Sequence, residues 1–164
     1  MANDVRVSAE IRLAVDRLDS STGVALADAL MAELEVRYGG PDEADGLHPD
    51  QLAPPNGTFL VAWIDDEAVG CGGLRQLESG VGEIKRMYVA PSARRAGVAR
   101  TVLAELEQTA RSLGYTHLKL ETGTEQPEAI ELYLSTGYEQ IEPYGVYKHS
   151  PLSRCYAKVL GVLG

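Results

Sequence analysis

Apolar residues along this chain follow two rhythms. Val5 to Ala14 sets Val, Ile and Leu against polar residues at roughly alternate positions, the period of a half-buried strand. After Ser20-Ser21-Thr22, an N-cap signal, Val24, Leu26, Ala27, Leu30, Met31 and Leu34 recur at helical spacing, and Gly39-Gly40-Pro41 ends that helix near Tyr38. Residues 41–57, rich in Asp, Pro, Gly and Asn, predict a long loop, with or without a short helix; such a loop is either functional or a plain surface excursion. Thr58–Ile64 and Ala68–Leu77 then read as strands joined at the turn signal Asp65-Asp66, and Glu83–Val89 as a further strand stopped by Pro91. Ala99, Leu103, Leu106, Ala110 and Leu113 mark one face of a helix spanning about 93–113, which Gly114 terminates. His117–Glu121 is a short strand. Pro127 opens a helix that Gly137 closes, and Tyr138–Ile141 and Cys155–Leu160 are the last strands. Helices alternate with strands only in the second half, which predicts an α/β fold on a mixed sheet rather than an all-parallel one.

Composition narrows the class. The 164 residues suit one domain over 1–164, and 45% apolar with 24% charged residues is ordinary for a globular protein. The net charge of -9 disfavours a nucleic-acid surface. No apolar run approaches membrane-spanning length and no targeting segment is visible, so the expectation is a cytoplasmic protein with no membrane partner. Cys71 and Cys155 stand in no metal-like spacing, so two free thiols and no metal are expected. Charge is also unevenly placed: residues 85–100 hold Lys85, Arg86, Arg94, Arg95 and Arg100 and no acid. That basic island is either a local anion site or a solvated helix face.

The segment Val89-Ala90-Pro91-Ser92-Ala93-Arg94-Arg95-Ala96-Gly97-Val98-Ala99-Arg100-Thr101 decides between them. A strand ends and a helix begins within it, so unpaired backbone N–H groups and the positive end of the helix dipole point at whatever lies in front. Gly97, Ala96 and Ala99 let a ligand approach the backbone, while three arginines near a helix N-terminus oppose the dipole unless an anion offsets them. Competing phosphate motifs fail. No Gly-Lys-Ser/Thr follows a glycine-rich run, and Val69-Gly70-Cys71-Gly72-Gly73 continues as strand, with Arg75 where a dinucleotide fingerprint wants glycine. Those glycines read as a bulge or close packing site.

Arg94-x-x-Gly97-x-Ala99 resembles the Gln/Arg-x-x-Gly-x-Gly/Ala signature of the GNAT superfamily of N-acetyltransferases. About thirty residues on, Ala129-Ile130-Glu131-Leu132-Tyr133-Leu134-Ser135-Thr136-Gly137-Tyr138 is similar to that family's Ala-Ile-x-Leu-Tyr-x-x-x-Gly-Phe/Tyr run. The resemblance is good over residues 58–142 and poor over the first fifty. It implies a mixed, mostly antiparallel sheet of about seven strands flanked by helices, and acetyl-CoA as acyl donor. It places the pyrophosphate on the turn Arg94, Arg95, Ala96, Gly97, Val98, Ala99, Arg100 and Thr101. It places the pantetheine arm along the backbone of Met87, Tyr88 and Val89, where an amide can also serve an oxyanion. Gln126 stands where many members carry a cofactor-contacting asparagine. Tyr133 matches a tyrosine often placed near the CoA sulfur, as general acid: a phenol of pKa about 10 can protonate a departing thiolate of pKa nearer 8.5. The alternative for Tyr133 is a packing residue on an amphipathic helix. Homodimers are a family expectation.

The acceptor would be an amine, which must lose a proton. Strand alternation places Glu83, Lys85, Met87 and Val89 on one face, so Glu83 is the leading base, directly or through water; its alternative is an ion pair with Lys85 or Arg86. His117, His149 and His48 are weaker candidates. Direct transfer is expected, because Cys71, the nucleophile nearest the sheet, reads as an inert packing cysteine. Glu33, Glu35, Tyr38, Asp42, Glu43, Asp45, Tyr144 and Tyr147 would line an acceptor site suited to a small cationic or amino-acid-like amine, with a peptide or protein amine second. The rival from another class is a non-catalytic acyl-CoA-binding module, which needs the turn but not Tyr133.

Overall fold

The computed structural model describes residues 10–40 and 46–161. Its elements are β1 (Ile11–Asp16), α1 (Ser21–Tyr38), β2 (Thr58–Ile64), β3 (Glu67–Glu78), β4 (Val81–Val89), α2 (Val98–Ser112), β5 (His117–Gly123), α3 (Pro127–Ser135), β6 (Glu139–Ile141) and β7 (Ser153–Val159), with 3-10 turns at Pro49–Leu52 and Pro91–Ala93. The expected order of elements holds throughout the described residues. The proposed start of the first strand at Val5 lies outside them. α2 begins at Val98 rather than 93, because Arg95 (φ 69°) and Gly97 (φ 82°) hold left-handed backbone that a right-handed helix cannot include. None of the described helices is long and apolar enough to cross a membrane.

The seven strands form one sheet in the order β1-β2-β3-β4-β5-β7-β6. Among the described pairs only β4–β5 is parallel. Each face carries its own core. On one, Leu60, Ala62, Leu74, Ile84, Leu118 and Leu120 pack with α2 residues Val98, Val102, Leu103, Leu106 and Ala110. On the other, Phe59, Val61 and Cys71 pack with Leu26 of α1 and Leu52 of the 3-10 turn. Ser20 caps α1 by accepting from the Gly23 amide at 2.9 Å. The glycines of β3 are close-packing sites, as the sequence indicated. A Cβ on Gly72 would stand 2.5 Å from Met87 Sδ and 2.7 Å from Val102 Cγ1, and one on Gly73 would stand 2.7 Å from Leu52 Cδ1.

β4 departs from simple alternation. Its register with β3 slips between Cys71↔Tyr88 and Gly73↔Lys85, so Arg86 and Met87 together oppose Gly72. Arg86 sits at φ 59°. This bulge inverts the facing of everything beyond it. Glu83 and Lys85 share a face with Tyr88, on the α1 side, whereas Met87 and Val89 pack with Ile84 on the α2 side. The expectation that Glu83, Lys85, Met87 and Val89 share one face is therefore corrected.

Candidate active site

β4 and β5 pair only at Val81↔His117, Gly82↔Leu118 and Glu83↔Lys119, then diverge. Beyond Glu83 the edge of β4 facing β5 has no strand partner, and β5 turns instead to β7. The wedge opens into a cleft of about 770 Å³. Its floor is β4 from Ile84 to Val89 with Glu121 and Thr122 of β5. One end is the turn before α2, and its walls come from α1 and α3.

At the turn, Arg95 and Gly97 put left-handed residues just ahead of α2, and no side chain caps the helix. Around Gly97 the space is open: a Cβ there would meet nothing within 4 Å. Successive N–H groups in such a turn form an anion-binding concavity, reinforced by the helix dipole. Arg94, Arg95, Gly97, Val98, Ala99 and Arg100 line the cleft here, and Arg100 also donates to Ser135 Oγ at 2.7 Å. Ala96 and Thr101 are outside the lining; the Thr101 hydroxyl donates back to Gly97 O at 2.9 Å. These features fit a pyrophosphate: open backbone, flanking arginines and no competing cap.

Tyr133 of α3 is among the residues that line the wedge. It is 5% exposed and packs edge-to-face on Tyr138 at 5.6 Å between ring centroids. Burial, then the charge of Glu121, raises its pKa above the usual phenol value, so it stays protonated well beyond neutral pH. Among the described residues nothing hydrogen-bonds its hydroxyl, yet it is not sealed in as an orphan.

Glu83 is 3% exposed and lies outside the lining. Its Oε1 accepts from Arg75 Nε at 2.7 Å and its Oε2 from the Tyr144 hydroxyl at 2.6 Å. Lys119 Nζ stands 5.4 Å over the Tyr144 ring. Tyr144 is thus tied to Glu83 and is not part of the lining, its pKa raised by burial and then by the Glu83 charge. Glu121 is the carboxylate that reaches the cleft from β5. It accepts from Ser153 Oγ at 3.1 Å, and its charge acts on both Tyr133 and Tyr144. Glu121 was not singled out in the sequence; the alternation His117-Leu118-Lys119-Leu120-Glu121 was the available signal, since it sets Glu121 opposite to the buried Leu118 and Leu120.

Of the proposed acceptor residues, Tyr147 lines the cleft and Glu35 is exposed. Asp42, Glu43 and Asp45 lie outside the described residues. Tyr38 is placed elsewhere: its hydroxyl accepts from Glu125 N and Gln126 Nε2, both at 3.2 Å, and packs against Gly123. Gln126 lines the cleft with its amide turned to Tyr38. Glu33 lines the cleft but is tied to Arg94, whose Nη2 lies 2.7 and 2.6 Å from its two oxygens. His48 caps the 3-10 turn, His117 stands at the opposite end of β5 beside Thr116, and His149 is exposed. Burial pushes the Cys71 thiol up to about 12, so it carries no thiolate at neutral pH.

An open-sided wedge between parallel strands, an anion cradle at one end and a buried phenol in its lining define an acyl-transfer fold, and the chain belongs to the acetyltransferase (GNAT) family, whose profile matches residues 24–138. Among its relatives, the IAA acetyltransferase of Azospirillum brasilense is 41% identical over 142 residues, 82% of this chain and 93% of that one. An uncharacterized N-acetyltransferase of Bacillus subtilis is 38% identical over 122 residues, 73% and 81% of the two chains. Among solved structures, a Klebsiella pneumoniae protein proposed to be an acyl-CoA N-acyltransferase superposes with a TM-score of 0.79 at 32% identity, covering 92% of this chain and 98% of that one. A GNAT acetyltransferase of Elizabethkingia anophelis with acetyl-CoA bound has the same fold, with a TM-score of 0.65 at 17% identity over 92% and 98% of the chains.

Proposed function

We propose that this single domain moves an acetyl group from acetyl-CoA directly to the primary amine of a small molecule. The observation that carries the reading is the meeting of three features in one cleft: the uncapped turn at Arg94–Ala99, the unpaired edge of β4, and the Tyr133 ring facing it. The name of the Azospirillum relative points to a small acceptor.

The residues divide the work as follows. The amides of Arg95 to Arg100 hold the pyrophosphate, and the free edge of β4 from Met87 to Val89 holds the extended arm. Acetyl-CoA, when bound, supplies an electrophilic thioester carbonyl and a thiolate leaving group. The amine nitrogen bonds to the carbonyl carbon as the carbon–sulfur bond breaks. Glu121, directly or through a water, accepts the proton the amine loses, and Tyr133 Oη delivers one to the sulfur. Glu83 lies outside the lining, so it serves by holding Tyr144, on which the Glu121 charge also acts. Glu121 also couples the two proton transfers. Its negative charge raises the Tyr133 pKa, so neutralising it eases donation when the thiolate forms.

The test is calorimetric binding of CoA together with CoA release from acetyl-CoA across a panel of primary amines, amino acids and peptides. Turnover on small amines supports the proposal. Tight CoA binding with no turnover on any acceptor replaces it with the acyl-CoA-binding module, and turnover confined to peptides replaces the acceptor class.

A further inference from the structure

Arg94, in the phosphate-binding turn, does not face the cleft with an unattached charge. Its Nη2 donates to both Glu33 oxygens at 2.7 and 2.6 Å, and its Nε donates to Val89 O at 3.1 Å. Glu33 is 61 residues away in sequence, on the face of α1 that walls the cleft. The same carboxylate accepts from Arg37 Nη2 at 2.8 Å, one helical turn along. Arg37 in turn pairs with Glu128 at the start of α3 and donates to Glu125 O at 2.8 Å. The result is a continuous run of charge, Arg94–Glu33–Arg37–Glu128, that crosses the cleft from the turn, along α1, to α3. Glu33 is 23% exposed in its side chain and Arg37 22%, so solvent screens this inner pair less than a surface pair, while Arg94 at 36% and Glu128 at 56% are more open.

A carboxylate held between two arginines at the mouth of a phosphate cradle has the charge and hydrogen-bonding chemistry of the ligand's own phosphate. We infer that Glu33 is a positioning residue that occupies Arg94 as an internal stand-in for the donor's phosphates, setting donor affinity and tying α1 to the state of the turn. This rests on the acyl-CoA reading. Entry of a pyrophosphate brings a second anion beside Glu33. Arg94 must then be shared or exchanged, and α1, the wall of the acceptor side, loses its hold on the turn at that moment. Donor binding thereby loosens the wall that the acceptor must pass.

The sign of one effect separates this from a merely structural ion pair. Glu33→Gln keeps the shape, removes the charge and frees Arg94. CoA, titrated calorimetrically into the otherwise intact protein, should bind the variant about three- to tenfold more tightly than wild type, in line with the effect of one partly screened charge. In an Arg94→Gln background the same substitution should change the affinity by less than twofold, because its route is Arg94. Glu33→Ala, acceptable to any helix, repeats the test should the amide misfold, with thermal melting as the check on folding. Weaker or unchanged CoA binding by folded Glu33→Gln overturns the inference while leaving the acyl-CoA reading intact, and so does a gain that persists in the Arg94→Gln background. Failure of wild type to bind CoA at all defeats both.

Discussion

Replacing Tyr133 by phenylalanine removes one oxygen from the lining of the cleft and little else. The ring keeps its edge-to-face contact with Tyr138 at 5.6 Å and its tilted contact with Tyr156 at 6.5 Å. No hydrogen bond among the described residues is lost. Stability should therefore change by less than about 0.5 kcal/mol, and the melting temperature by less than about 2 °C. CoA affinity should stay within about threefold, because the cradle is backbone and arginine. The loss falls on turnover. A positioned general acid contributes about 10²- to 10⁴-fold, but burial and the Glu121 charge raise the phenol pKa and make it a reluctant donor. The expected loss is accordingly near the lower end, about 10²-fold in kcat, or about 3 kcal/mol of barrier. The assay is CoA release read with a thiol reagent, using the best acceptor from the amine panel. Both protein thiols are buried and add no background in the folded protein. A kcat within threefold of wild type, in a variant that folds and binds CoA, refutes the acid role and returns Tyr133 to packing.

Two further predictions concern the scaffold. Burial raises the pKa of Tyr133, Tyr138 and Tyr144, aided by the carboxylates Glu121, Glu107 and Glu83 respectively. A folded-state pKa above the unfolded value means stability is intact below about pH 10 and lost above it, because the unfolded chain releases protons the folded one keeps. The unfolded phenol is half ionised at about pH 10, so each tyrosine contributes about 1 kcal/mol between pH 10 and 11; urea unfolding over that interval should show a drop of about 3 kcal/mol, and a flat profile would contradict the burial. Gly72→Ala forces a methyl group against Met87, Val102 and Leu106 behind the β4 bulge. It should cost about 1–3 kcal/mol and weaken CoA binding by displacing Met87; unchanged stability and affinity would show that the bulge yields freely.

The turn proposed to hold the donor was more legible in the sequence than the surroundings of the proposed acceptor. A strand, a turn with Gly97 and a helix are contiguous in the chain, so local rules suffice to place an anion at Arg94–Ala99. Tyr133 comes from the likeness of its helix to the family's Ala-Ile-x-Leu-Tyr run; helical periodicity alone favours a packing tyrosine there. The bulge at Arg86 was written more faintly. Ile84 sets the apolar phase of β4, and Met87 and Val89 fall out of that phase by one residue, which is what an extra residue looks like in a strand. Read as unbroken alternation, the segment put Glu83 with Met87 on the wrong face. Glu33 with Arg94, and Arg75 with Glu83 and Tyr144, join residues across the fold; no periodicity carries such pairs, and only the packed sheet creates them.

That difference bears on the acceptor. The acids and tyrosines of α1, of its following loop and of the segment Tyr144 to Tyr147 predict a cation site. In the fold, Glu33 answers Arg94 and Arg37, Glu83 answers Arg75, and Tyr38 holds the turn between β5 and α3. Excess charge in a stretch of sequence does not survive as charge in a cleft when each acid has a base to meet. Glu121 of β5 and Tyr147 of the segment between β6 and β7 stand in the lining beside Glu33, Glu128 and Glu131. The choice of acceptor is therefore to be sought in how these lining residues are paired and placed, not in the acidity of the chain.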